Sequence, residues 1–108
     1  MKIVLIIFMI PFLCFSQKIY ITNYSYQADI KLVVVDYLYQ ADLAVYKVSQ
    51  SYQAGKNNGK WYFVDYPYQA DIKAYFVDYP YQSDVKVYFV DYPYQAGWKN
   101  NSKKHLLF

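Results

Sequence analysis

The sequence predicts an all-β fold of six strand-and-turn repeats arranged as two equivalent halves, and three observations carry that prediction. A Tyr-Gln pair begins at Tyr26, Tyr39, Tyr52, Tyr68, Tyr81 and Tyr94, with spacings of 13, 13, 16, 13 and 13 residues. Before each pair runs a stretch rich in Val, Ile, Phe and Tyr, the composition of a pleated, covered strand. The third and sixth units read YQAG where the others read YQAD or YQSD. Self-similarity at a fixed period sets the architecture class before any local pattern is read. The two exceptions then divide the chain into three units plus three, offset by 42 residues.

Within a unit the strand comes first. In Ile72-Lys73-Ala74-Tyr75-Phe76, period-2 alternation puts Ile72, Ala74 and Phe76 on one face and Lys73 and Tyr75 on the other. Apolar groups on both faces point to a strand covered on both sides. Pro67, Pro80 and Pro93 are read as strand stops, because proline has no N–H for a ladder. Asp36, Asp65, Asp78 and Asp91 precede the turns and are expected to cap turn amides. The pairs Tyr26-Gln27, Tyr39-Gln40, Tyr52-Gln53, Tyr68-Gln69, Tyr81-Gln82 and Tyr94-Gln95 never vary, so an internal ladder of buried Tyr, with Gln serving neighbouring turns, is expected. The small residue after each pair implies close backbone approach. Two architectures fit: a six-stranded antiparallel meander or small barrel, or two half-chains coiling about a pseudo-two-fold axis. Only the second explains the 42-residue offset and the Gly/Asn-rich centre at Gly55-Lys56-Asn57-Asn58-Gly59.

Residues 1–16 read as a leader. Met1-Lys2 is a positive start, Ile3 to Phe15 is apolar, and Ser16 offers a cleavage site. The run is short of the roughly 20 residues that span a bilayer, and Leu13 before Cys14 disfavours a lipidated cysteine. The reading is export to the periplasm or medium, a repeat domain over 17–100, and a solvated basic tail over 101–108. Cleavage would remove the only cysteine, so packing and backbone pairing must hold the domain without disulfides.

Charge is balanced and narrow in kind: eleven Lys and no Arg, eight Asp and no Glu. Mild positive charge without Arg disfavours nucleic acid as a partner.

Tandem V-D-Y-x-Y-Q-A-D units behind a leader, in a three-plus-three arrangement, resemble the septoil-knot domain family of bacteria over about Lys18 to Lys99. The resemblance implies two halves wound about each other into a seven-crossing torus knot, and it transfers no activity, cofactor or site. Units one and three depart from the pattern, with Thr22-Asn23-Tyr24 and Val48-Ser49-Gln50, and are expected at edges or more exposed.

Chemistry is sparse. His105 stands in the tail, no mature Cys is present, and a hydrolase nucleophile lacks a base beside it. The Asp residues fill repeated slots, whereas a glycosidase pair needs two carboxylates in different environments. The expectation is a non-enzymatic, monomeric structural or binding module without cofactor. A calcium- or carbohydrate-binding domain is the first alternative, and a glycosidase the second.

Overall fold

The computed structural model describes residues 17–107, so the predicted leader and its cleavage after Ser16 lie outside the described residues. Six strands carry the fold: β1 Lys18–Ile21, β2 Ile30–Val34, β3 Leu43–Lys47, β4 Lys60–Phe63, β5 Ile72–Phe76 and β6 Val85–Phe89, with a two-residue β7 at Gly97–Trp98. Alternation sets their faces as expected: in β5, Ile72 and Ala74 are buried, while Lys73 and Tyr75 point outward, half covered. After each of β1 to β6 comes a three-residue 3₁₀ turn ending in the Tyr-Gln pair: Ser25–Gln27, Leu38–Gln40, Ser51–Gln53, Pro67–Gln69, Pro80–Gln82 and Pro93–Gln95. The prolines therefore do not stop the strands, which end earlier at Phe63, Phe76 and Phe89. They open the 3₁₀ turns, where a missing N–H costs nothing and a fixed φ is already right.

The strands run β4-β1-β5-β2-β6-β3, and β3 pairs back with β4 to close a six-stranded barrel. Every pairing within the barrel is parallel; β7 alone runs antiparallel, beside β3. The antiparallel meander is thus overturned, and the register gives the physical reason. Ile21 at the end of β1 and Ile30 at the start of β2 both align with Ala74 of β5. Phe76 and Val85 likewise flank Leu32, and Val34 and Leu43 flank Val87. The chain leaves one strand, steps over a strand of the other half, and resumes at the same height in the same direction. A parallel crossover usually needs a dozen residues or more because it must travel back. Here residues 22–29 suffice, since nothing has to be retraced.

Both barrel neighbours of every strand belong to the other half of the chain. The halves alternate around one barrel and do not form separate lobes. Closure also leaves β1 and β3 paired on both sides, so the divergent first and third units are not edges.

Inside, Ile19, Leu32, Leu43, Val45, Trp61, Val85 and Val87 are fully buried, filling a barrel of this size with side chains. At the C-terminal ends of the strands, Phe63 and Phe89 lie 6.3 Å apart, with the Lys47 ammonium over both rings. At the N-terminal ends, buried Gln17 accepts from the Trp61 indole (3.0 Å), and the Asn57 side chain accepts from the Trp98 indole (2.9 Å). Residues expected to be a solvated tail instead form a 3₁₀ helix, Asn101–Leu107, that closes this end: Leu107 joins the core, and the Lys103 ammonium meets the Asp42 carboxylate at 3.2 Å.

Candidate functional site: the grooves between the turns

Each 3₁₀ turn straddles one strand of the other half, and two backbone bonds fix it there. For the fourth turn, the Val64 amide donates to the Ile19 carbonyl (2.9 Å), and beyond the turn the Asp71 amide donates to the Lys18 carbonyl (2.8 Å). The same pair recurs over β2 (Val77 to Leu32, Asp84 to Lys31), over β5 (Thr22 to Ala74, Asp29 to Lys73) and over β6 (Val35 to Val87, Asp42 to Lys86). Around the barrel the turns therefore follow in the order of Tyr52, Tyr68, Tyr26, Tyr81, Tyr39 and Tyr94, each successive one from the other half.

The tyrosines of the pairs are not an internal ladder. All six are 81–83% exposed, because the 3₁₀ turn lies outside the strand it crosses and directs this side chain away from the barrel. In five turns the ring stacks on the tyrosine two residues earlier: Tyr37–Tyr39, Tyr66–Tyr68, Tyr79–Tyr81 and Tyr92–Tyr94 lie at 5.6–5.9 Å and nearly parallel, and Tyr24–Tyr26 is tilted at 5.7 Å. Nor does the glutamine reach neighbouring turns. The side-chain oxygens of Gln40, Gln53 and Gln95 accept from the amides of Tyr37, Gln50 and Tyr92, stapling the start of their own turns.

The aspartates divide into two kinds, and the capping role belongs to the set the sequence reading passed over. Asp29, Asp42, Asp71 and Asp84 each accept from a strand amide of the other half: Lys73 (2.8 Å), Lys86 (2.9 Å), Lys18 (3.1 Å) and Lys31 (2.9 Å). The carboxylate stands where a ladder carbonyl would be, one residue before pairing begins. Asp36, Asp65, Asp78 and Asp91 are exposed, as Asp29, Asp71 and Asp84 also are, but the turn amides they were expected to cap donate to backbone carbonyls, as Gln69 to Tyr66 and Ala70 to Pro67. The expected caps are free to meet solvent or a ligand.

Between successive turns lie grooves, and the free aspartates line them. One of about 550 Å³ has Lys18, Ser51, Asp65, Tyr68 and Gln69 on its walls. Another, of about 510 Å³, repeats that set as Lys31, Ser25, Asp78, Tyr81 and Gln82. A third, of about 710 Å³, has Lys86, Asp36, Asp78, Tyr39, Gln40 and Pro80. A smaller groove between the fourth and first turns is lined by Tyr20, Gln27, Pro67 and Lys73. Each of the first three joins an exposed aromatic ring, a carboxylate, an ammonium and a carboxamide.

A family model described as the 7(1) septoil knot domain matches residues 16–99. The chain belongs to that family. No curated protein and no solved structure matches it. In this septoil knot domain the sequence-predicted residues are therefore brought together in part: Tyr39, Tyr68, Tyr81, Gln40, Gln69, Gln82, Asp36, Asp65 and Asp78 line grooves, while Tyr26, Tyr52, Tyr94 and Asp91 stand on the same surface outside those four. Sequence reasoning missed the lysines of the grooves, which come from strands of the other half. The recurring Lys after the core slot (Lys31, Lys73, Lys86) was the available signal, but only the alternation of halves shows which turn each one faces. Among the described residues, no helix is long and apolar enough to cross a membrane.

Proposed function

We propose that this septoil knot domain is an exported, non-enzymatic binding module whose knotted backbone holds a ring of Tyr-Gln turns as its contact surface. One observation carries the reading: eleven tyrosines stand exposed on the turns, although the buried core needs none of them. Exposed aromatic area on this scale marks interaction surfaces. The knot is supported by the family match and by the alternation of the two halves around the barrel, with turns of one half passing over strands of the other, an interleaving that winding of two halves would produce. Such winding keeps the turns in fixed relation without disulfides. The closed barrel offers little free strand edge for assembly, which favours a monomer. Repetition favours contact over catalysis, since a catalytic pair must sit in two different environments. The glycosidase alternative has Asp36 and Asp78 in one groove as its footing.

The test is a binding panel of polysaccharides, proline-rich peptides, anionic polymers and calcium. It is run on the wild type and on a variant with Tyr26, Tyr39, Tyr68, Tyr81 and Tyr94 changed to Ala. The variant is expected to keep the melting curve and lose the binding. If no member of the panel binds, or the variant binds as well as the wild type, the turn surface is not the working surface.

A further inference from the structure

Resting on the reading of the turns as a contact surface, we propose that its ligand is a neutral linear polysaccharide that lies across successive grooves. Four features of the grooves converge on this class. First, the walls pair an exposed tyrosine face with both acceptors and donors: Tyr68 with Asp65, Lys18, Ser51 and Gln69 in one groove, Tyr81 with Asp78, Lys31, Ser25 and Gln82 in the next of its kind. A sugar ring needs this mixture, an apolar C–H face to cover the aromatic ring and hydroxyls that donate and accept at its rim. A proline-rich peptide uses aromatic walls but presents few donors, so most of these polar groups would be left unpaired.

Second, charge is matched within those two grooves, one Lys against one Asp in each. That suits a ligand without net charge; an anionic polymer would meet the Asp65 and Asp78 carboxylates there. Third, volumes of about 510–710 Å³ fall within the range that holds a small ligand. Fourth, the grooves repeat. Adjacent strands lie about 4.8 Å apart, and every barrel strand is straddled by a turn, so successive grooves are on the order of 5–10 Å apart, the length of one or two pyranose rings. A repeating site of that spacing fits a repeating ligand. Each groove alone is shallow and open, so useful affinity must come from several engaged at once.

The experiment is calorimetric or NMR titration of the full chain with cello-, chito- and malto-oligosaccharides from the dimer to the octamer. At least one series should gain about tenfold or more in affinity with length, because each added groove is engaged at high effective concentration. Binding should change less than about twofold when NaCl rises from roughly 0.05 to 0.5 M, as no ion pair with the ligand is involved. Tyr68→Ala and Tyr81→Ala should each weaken the longest oligomer about threefold or more with unchanged melting, and far-UV circular dichroism of both variants confirms that they fold. Affinity that does not depend on length overturns the proposal. So does a failure of every neutral series while a proline-rich peptide or a polyanion binds. In that last case, loss of binding in the five-tyrosine variant keeps the contact-surface reading and removes only the glycan. If nothing binds at all, both are removed.

Discussion

Two aspartates in each full repeat look alike in sequence and do opposite things. Asp84 accepts from the Lys31 amide at 2.9 Å, standing in for a backbone carbonyl at the point where the strands begin to pair. Asp78 lies exposed at the wall of two grooves. Replacing Asp84 with Ala should therefore cost about 1 kcal/mol by removing a charge-assisted bond to a strand amide. Asp78→Ala should stay within about 0.5 kcal/mol of the wild type. Urea melts of the two variants check this, and equal losses would mean that both slots are structural. Tyr68→Ala should also melt like the wild type, because the residue is 82% exposed and, among the described residues, its ring stacks on Tyr66 alone.

At the scale of elements, the reversals at Gly55 and Gly97 decide where each coil ends. After Gly55 the chain turns back through residues 56–59 to enter β4, and Gly59 makes the turn with φ of 84°. A Cβ there would run into the Ala44 carbonyl. Gly59→Ala should cost more than about 2 kcal/mol, combining a left-handed backbone with a backbone clash, as read by denaturant unfolding. The other reversal leads into the C-terminal helix Asn101–Leu107, latched by Asp42. Burial pushes the Asp42 carboxyl up. The Lys86 amide, the hydrogen bonds from Lys103 and Asn100 and the charge of Lys103 more than offset it and hold its pKa below the usual value. The folded pKa is thus depressed. Its contribution is complete above the unfolded aspartate value of about 3.9 and is lost as pH falls through the lower folded value. Melting temperature measured from about pH 6 down to pH 2 should drop less steeply for Asp42→Asn than for the wild type, because the variant has already lost this contribution.

For the whole molecule, the interleaving of halves makes the barrel pairings non-local: among the described residues β1 pairs with β4 and β5, and β2 with β5 and β6. Neither half can complete a sheet without the other. Folding therefore waits on long-range closure, which is slow in itself, and the proposed knot would add threading of one half past the other. Stopped-flow and manual-mixing refolding from guanidinium should show recovery on the order of minutes, in the range of the slowest elementary steps. Full recovery within milliseconds would argue against the knot.

The sequence by itself determined the units, their number, the faces of each strand and the place where the chain divides. These follow from local composition, period-2 alternation and the YQAG exceptions, which are properties of neighbouring residues. Tertiary structure alone decided the direction of pairing and the use of each repeated slot. A strand motif reads the same whether its neighbour runs parallel or antiparallel. Parallel pairing emerged because the stagger lets Ile21 and Ile30 flank one residue of β5, and no local signal encodes that stagger. The same holds for the candidate site. Tyr68 and Asp65 were visible as repeated residues, but an internal ladder and a cap were as consistent with the repeat as an exposed groove. Only the position of the turn, outside a strand of the other half, put the ring in solvent and brought Lys18 beside it.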